Sequence, residues 1–122
     1  MGQIKGIITD FDGTLVDTKI ANGYAYKESF ENFGLQFNIS KYYQLYGYTY
    51  KEMCEEFGIT DKFTQIKIHE YKLHCYPKYF KYIVLNKSLF NLLKTLKNKN
   101  YKLAIATSSN KQNLVNILEL LI

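Results

Sequence analysis

The 122-residue chain contains no arginine. All sixteen of its basic residues are lysine, and against eleven acidic residues they leave a formal net charge of +5. The lysines are scattered from Lys5 to Lys111 rather than gathered in a block. Bidentate reading of bases and phosphates leans on the planar fork of arginine, so this charge does not point to a nucleic-acid partner. It reads as the composition of an AT-rich coding sequence, and secondarily as weak attraction for anionic substrates. Cysteine is scarce as well: Cys54 and Cys75 have no metal-type spacing and are too few for a disulfide framework, so both are expected to stay reduced in a cytoplasmic setting. No apolar run approaches the roughly 20 residues of a membrane span, so no membrane partner is expected. Met1 to Gly6 lacks the charged and apolar regions of a secretory signal, and Gly6 stands where a myristoylation pattern requires Ser or Thr. Repeats and low-complexity linkers are absent too. A soluble protein remains, with one domain or one compact core carrying a small insertion.

The apolar fraction of 47% is enough for such a core. Ile4 to Thr9 is short and β-branched and ends at an Asp-Gly turn, which predicts a buried strand. Tyr101 to Ala106 predicts a second one. Just before it, Leu89, Leu92, Leu93 and Leu96 recur at helical spacing, and Lys97 to Asn100 supplies a polar stop. The long middle segment is helical in pattern and breaks at Gly34, Gly47, Gly58 and Pro77, predicting helices over 19–33, 40–46, 50–57 and 61–75. Their aromatic faces, Tyr24, Phe30, Phe33, Tyr42, Phe57 and Tyr71 among them, suit a small bundle. Ser109 and Gln112 match a capping box opening a last helix through Leu114, Val115, Leu118 and Leu121. The fold class is α/β. His69 and His74 are five apart, share no helix face, and are expected on the helix surface rather than on a metal.

The chemistry concentrates in Asp10-Phe11-Asp12-Gly13-Thr14-Leu15-Val16-Asp17, directly after the first strand. Residues i and i+2 of an extended chain point to one side, so Asp10 and Asp12 are expected to face one crevice. It would lie beyond the carboxyl end of a parallel strand, where open α/β sheets bind ligands. Gly13 permits the sharp turn, and Thr14 can hydrogen-bond locally to hold it. Thr107-Ser108-Ser109 ends the second strand just ahead of a helix amino-terminus, a position suited to an anionic group.

This pattern resembles the haloacid dehalogenase-like hydrolase superfamily. Asp10 to Asp17 fits the family's first motif at every diagnostic position, and Ala104 to Ser109 looks like its second. The helical insertion is similar to the small cap of the phosphoglycolate phosphatase and β-phosphoglucomutase branch. The resemblance implies a partial Rossmann-like core over 1–17 and 86–122 and a cap over 18–85. It also implies Mg²⁺, bound by Asp10 and the backbone carbonyl of Asp12. Asp10 would be the nucleophile that becomes an aspartyl-phosphate, and Asp12 the acid and base. Gly13, Thr14, Thr107 and Ser108 would bind the phosphoryl group. The loop Tyr46 to Lys51 looks like the branch's substrate-selecting loop, with Thr49 and Lys51 as its candidate contacts. A carboxylate at Asp12 separates this chain from dehalogenases and phosphonatases, so a small phosphorylated metabolite is the expected partner, and phosphatase and phosphomutase both remain open.

Family members continue with a lysine that steadies the phosphoryl charge and an acidic motif that completes the Mg²⁺ site. Neither is found before Ile122, and Lys111 stands too close behind Thr107 to serve. The chain is therefore expected to be truncated after the second motif. It would be the front of a longer phosphatase, the product of a split gene whose second piece completes the site, or a degenerate protein retained for binding; self-association or a complementing fragment is expected through the uncovered core. Little or no activity is expected of it alone.

Overall fold

The structure is a computed structural model that describes residues 6–107 and 110–121. In chain order it has strands β1 (Gly6–Asp10) and β2 (Val16–Asp17), then helices α1 (Lys19–Asn32), α2 (Ile39–Gln44), α3 (Tyr50–Glu56) and α4 (Lys62–Cys75). A 3₁₀ segment at Tyr76–Tyr82 leads into strand β3 (Val84–Leu85), helix α5 (Lys87–Asn98), strand β4 (Lys102–Ala106) and helix α6 (Lys111–Leu121). These fall into two compact units. One is built from the chain up to Thr18 together with the chain from Ile83 onward, and the other is Lys19–Tyr82. Among the described residues no helix is long and apolar enough to cross a membrane.

In the strand-bearing unit, β1 and β4 pair in parallel from Gly6 opposite Lys102 to Asp10 opposite Ala106. Helix α5 precedes β4, the helix-then-strand order expected of an α/β core. A second, antiparallel pair sets Val16 against Leu85 and Asp17 against Val84. Two-residue strands carry no periodicity, which is why the sequence does not announce them. The expected burial of the long strands does not hold. Ile8 is 74% exposed, and no residue of β1 or β4 is fully buried. A sheet of two strands consists of two edges, whereas parallel sheets normally lie covered on both faces. The unit's buried apolar residues lie on other segments, in Phe11, Leu15, Val16, Ile83, Leu93 and Ile117.

The last helix follows the segment where the capping box is expected. Ser109 lies outside the described residues, and Asn110 Oδ1 accepts the Asn113 amide at 3.1 Å. Gln112 donates from Nε2 to Asn116 Oδ1 at 3.0 Å. Asn110 thus offers α6 a capping side chain.

Helices α2, α3 and α4 of the helical unit open on side-chain caps. Asn38 caps α2, Asp61 caps α4, and Thr49 with Glu52 forms a capping box on α3. Its core is aromatic and aliphatic together: Tyr26, Phe30, Tyr42, Met53, Cys54 and Ile68 are buried. Phe37 stacks on Phe57 at 5.1 Å between ring centroids, and Phe30 meets both rings edge-on. The buried Ser29 hydroxyl donates to the Ile68 carbonyl at 2.6 Å and ties α1 to α4. His69 departs from the expected surface position. Its ring stacks on Tyr50 at 4.1 Å, and its Nδ1 meets the Tyr26 hydroxyl at 3.3 Å. Burial, with the charge of Lys72, pushes its pKa down to about 4. His74 is exposed, as expected. Both cysteines are free and buried, and burial above all pushes each thiol up to about 11, which keeps them protonated and unreactive.

Candidate active site

Strand β1 ends at Asp10, and the chain then closes a turn on the fully buried Phe11. The Phe11 carbonyl accepts the amides of Thr14, Leu15 and Val16 at 3.3, 3.0 and 3.1 Å, and the Gly13 amide donates to the Val16 carbonyl at 2.7 Å. Gly13 sits at φ +79°, a conformation that side chains with a Cβ resist. Asp12 therefore stands on the turn rather than on the strand, so turn geometry and hydrogen bonds, not strand alternation, position it.

Two hydroxyls from separate segments hold the Asp12 carboxylate. Thr18 Oγ1 donates to Oδ1 at 2.7 Å, and Thr107 Oγ1 approaches Oδ2 at 3.5 Å. Thr107 reaches it because of the strand register: Ala106 pairs with Asp10, and Thr107 is the next residue beyond β4. Asp10 is exposed: its Oδ2 accepts a long contact from Thr14 Oγ1 at 3.4 Å, and its backbone carbonyl accepts the Thr9 hydroxyl at 3.1 Å. The structure thus brings Asp10, Asp12, Gly13, Thr14 and Thr107 together around one turn. Ser108 lies outside the described residues. Thr49 and Lys51 belong to the helical unit: the Thr49 hydroxyl is engaged with Glu52 in the capping box, and Lys51 is exposed with its ammonium 6.0 Å from the Tyr50 ring.

Two residues that the sequence did not single out complete the turn's surroundings. Thr18 is fully buried, and a threonine just ahead of a helix reads in sequence as an ordinary cap. Asn86 donates from its amide to the Leu15 carbonyl at 2.8 Å and from Nδ2 to the Thr14 carbonyl at 3.2 Å. Setting the start of α5 at Lys87 would have exposed Asn86 as its cap; the leucine spacing alone places that start later.

Among the described residues no group of three or more His, Cys, Asp or Glu side chains is arranged to hold a metal. Mg²⁺ asks for less, since it usually takes one or two carboxylates and fills its shell with water and phosphate oxygens. An exposed Asp10 carboxylate and the Asp12 carbonyl are hard oxygen donors of that kind, so the residues present fit the ion.

Comparison with known proteins bears on this arrangement. A family model described as haloacid dehalogenase-like hydrolase matches residues 7–122. A predicted phosphatase from Clostridium acetobutylicum has a similar structure, at TM-score 0.83 and 24% identity, covering 98% of this chain and 56% of that one. A hydrolase from Pseudomonas syringae matches at TM-score 0.77 and 23% identity over 94% of this chain and 54% of that one. A HAD hydrolase, family IA, variant 3, from Entamoeba histolytica matches at TM-score 0.73 and 26% identity, covering 93% and 53%. The chain spans a little over half the length of these structures. No curated protein matches it significantly. The family match runs from β1 through α6 and takes in both the acid-bearing turn and the strand that delivers Thr107, so the chain belongs to the haloacid dehalogenase-like hydrolase family.

Proposed function

We propose that this chain carries the nucleophile and the acid–base residue of a Mg²⁺-assisted phosphatase acting on small phosphate monoesters in a cytoplasmic setting. The observation that carries the reading is the pairing of an exposed carboxylate at the end of β1 with a second carboxylate, two residues on, held by two hydroxyls. One carboxylate is accessible for attack and the other is oriented for proton transfer.

In this reading an Asp10 carboxylate oxygen attacks phosphorus, an Asp–phosphate bond forms, and the ester P–O bond breaks. Asp12 gives its proton to the departing oxygen, then takes one from the water that hydrolyses the aspartyl-phosphate. Thr14 and Thr107, with Ser108, bind the phosphoryl oxygens, while the Gly13 amide, committed to the Val16 carbonyl, shapes the turn. Held by a carboxylate oxygen of Asp10 and the carbonyl of Asp12, Mg²⁺ would offset the repulsion between an anionic nucleophile and an anionic ester.

The test is hydrolysis of p-nitrophenyl phosphate with and without Mg²⁺. Slow Mg²⁺-dependent turnover is expected, reduced at least about a thousandfold in Asp10→Asn. Turnover that survives Asp10→Asn would remove Asp10 from the chemistry. A second reading, a non-catalytic module that associates with a second copy of itself, is favoured by the exposed β1 and β4. It predicts concentration-dependent sedimentation without Mg²⁺-dependent hydrolysis.

A further inference from the structure

Asn86 has every hydrogen-bonding group engaged, and the bonds divide between two elements. Toward helix α5, Oδ1 accepts the Leu89 amide at 3.1 Å and the backbone carbonyl accepts the Phe90 amide at 2.9 Å. Toward the acid-bearing turn, the backbone amide donates to Leu15 at 2.8 Å and Nδ2 donates to Thr14 at 3.2 Å. The turn's inward groups are satisfied within it, through the Phe11 carbonyl and the Gly13 amide. Its carbonyls at Thr14 and Leu15 find their donors in Asn86. Helix amino-termini supply donors and consume acceptors. The backbone bond to Leu15 is open to any residue but proline, whereas only a side chain that both accepts and donates can cap α5 and reach the Thr14 carbonyl at the same time, and the asparagine amide does so.

We infer that Asn86 is a positioning residue: it fixes the Thr14–Leu15 backbone against the start of α5, and through the turn that this backbone closes it fixes the placement of Asp12. Its consequence for catalysis rests on the phosphoryl-transfer reading, but the tether itself does not. Aspartate caps a helix as well as asparagine does, yet a carboxylate has no proton for the Thr14 carbonyl. Asn86→Asp therefore separates the two side-chain roles, and Asn86→Ala removes both while keeping the backbone bond to Leu15.

Residue-resolved amide hydrogen exchange on the full chain distinguishes them. In Asn86→Ala, the amides of Leu89 and of the turn at Gly13, Leu15 and Val16 are all expected to lose protection. In Asn86→Asp only the turn amides should exchange faster, by about threefold to tenfold, the equivalent of one hydrogen bond. Titration with Mg²⁺ alone, followed through the Asp10 and Asp12 resonances, should show affinity weakened several-fold in Asn86→Asp. Unchanged turn exchange in Asn86→Asp, or equal loss in turn and helix, would overturn the tether. A wild-type chain whose Asp10 and Asp12 resonances ignore Mg²⁺ would instead count against the phosphatase reading, and the exchange data would still decide the role of Asn86.

Discussion

Phe30 and Ile8 are both large, apolar and centred in regular elements, yet Phe30 is completely buried while Ile8 is 74% exposed. The difference belongs to the two units they sit in. The helical unit encloses its aromatic residues with its own helices, and Phe30 is packed edge-on against Phe37 and Phe57. The strand-bearing unit buries the residues of its turn and helices but leaves its two-stranded sheet open, and the chain spans a little over half of the related structures. Stability in one unit should thus rest on packing, and in the other more on hydrogen bonds around the turn. The largest effect should come from the packed side. Phe30→Ala is expected to cost about 3–5 kcal/mol. The chain has no tryptophan, and all but Tyr101 of its twelve tyrosines lie in the helical unit, so tyrosine fluorescence during urea unfolding reports on that unit directly. A cost below about 1 kcal/mol would mean that the aromatic cluster is not the unit's core.

The matching prediction on the other side concerns Thr18. Its buried hydroxyl donates to the Asp12 carboxylate at 2.7 Å, closer than the Thr107 hydroxyl at 3.5 Å. Thr18→Val keeps the shape and removes the donor, so it should destabilise by about 1–3 kcal/mol. Thr18→Ser, which keeps the hydroxyl, should be milder. A larger cost for Thr18→Ser than for Thr18→Val would show that the γ-methyl, not the bond, is what matters there, and the contrast between packed and hydrogen-bonded units would weaken.

A smaller effect comes from His69. An unfolded histidine titrates near 6.5, whereas burial and then Lys72 hold His69 near 4 in the fold. Between those values the unfolded chain binds the proton that the folded chain refuses, so stability falls as pH drops through 6.5 and levels off near 4. Acidic residues titrate in the lower part of this window too, so the measurable quantity is the difference between wild type and His69→Phe, a ring that can still stack on Tyr50. The urea midpoint of the variant should fall less between pH 6.5 and pH 4. Parallel curves would place His69 in solvent, where the sequence first put it.

These contrasts also mark what the sequence could and could not say. Helix positions followed from glycine breaks and capping residues, because Thr49, Asp61 and the breaks at Gly34 and Gly58 act within a few residues of themselves. Gly13 and the acid pair were legible for the same reason. Thr18 and Asn86 were not, since their roles depend on Asp12 and Thr14 being brought to them, at six and 72 residues' separation. The burial of β1 was misjudged on the same grounds. A β-branched run shows that a strand can be covered, but whether anything covers it depends on distant chain. His69 reads as surface from its helical position, and only the placement of Tyr50 and Tyr26 makes it a partly buried ring.

The smallest expected effect tests the open sheet itself. Ile8→Ser on a 74% exposed position should change stability by no more than about 0.5 kcal/mol, as surface substitutions usually do. If another polypeptide surface covered that face in solution, the same change would remove a buried aliphatic side chain and cost about 2–5 kcal/mol. Urea unfolding of the variant at several protein concentrations separates the cases. A near-zero, concentration-independent change confirms a sheet that stands open. A large cost that shrinks on dilution means that copies cover one another's strands, and it would restore β1 to the buried state that its sequence predicts.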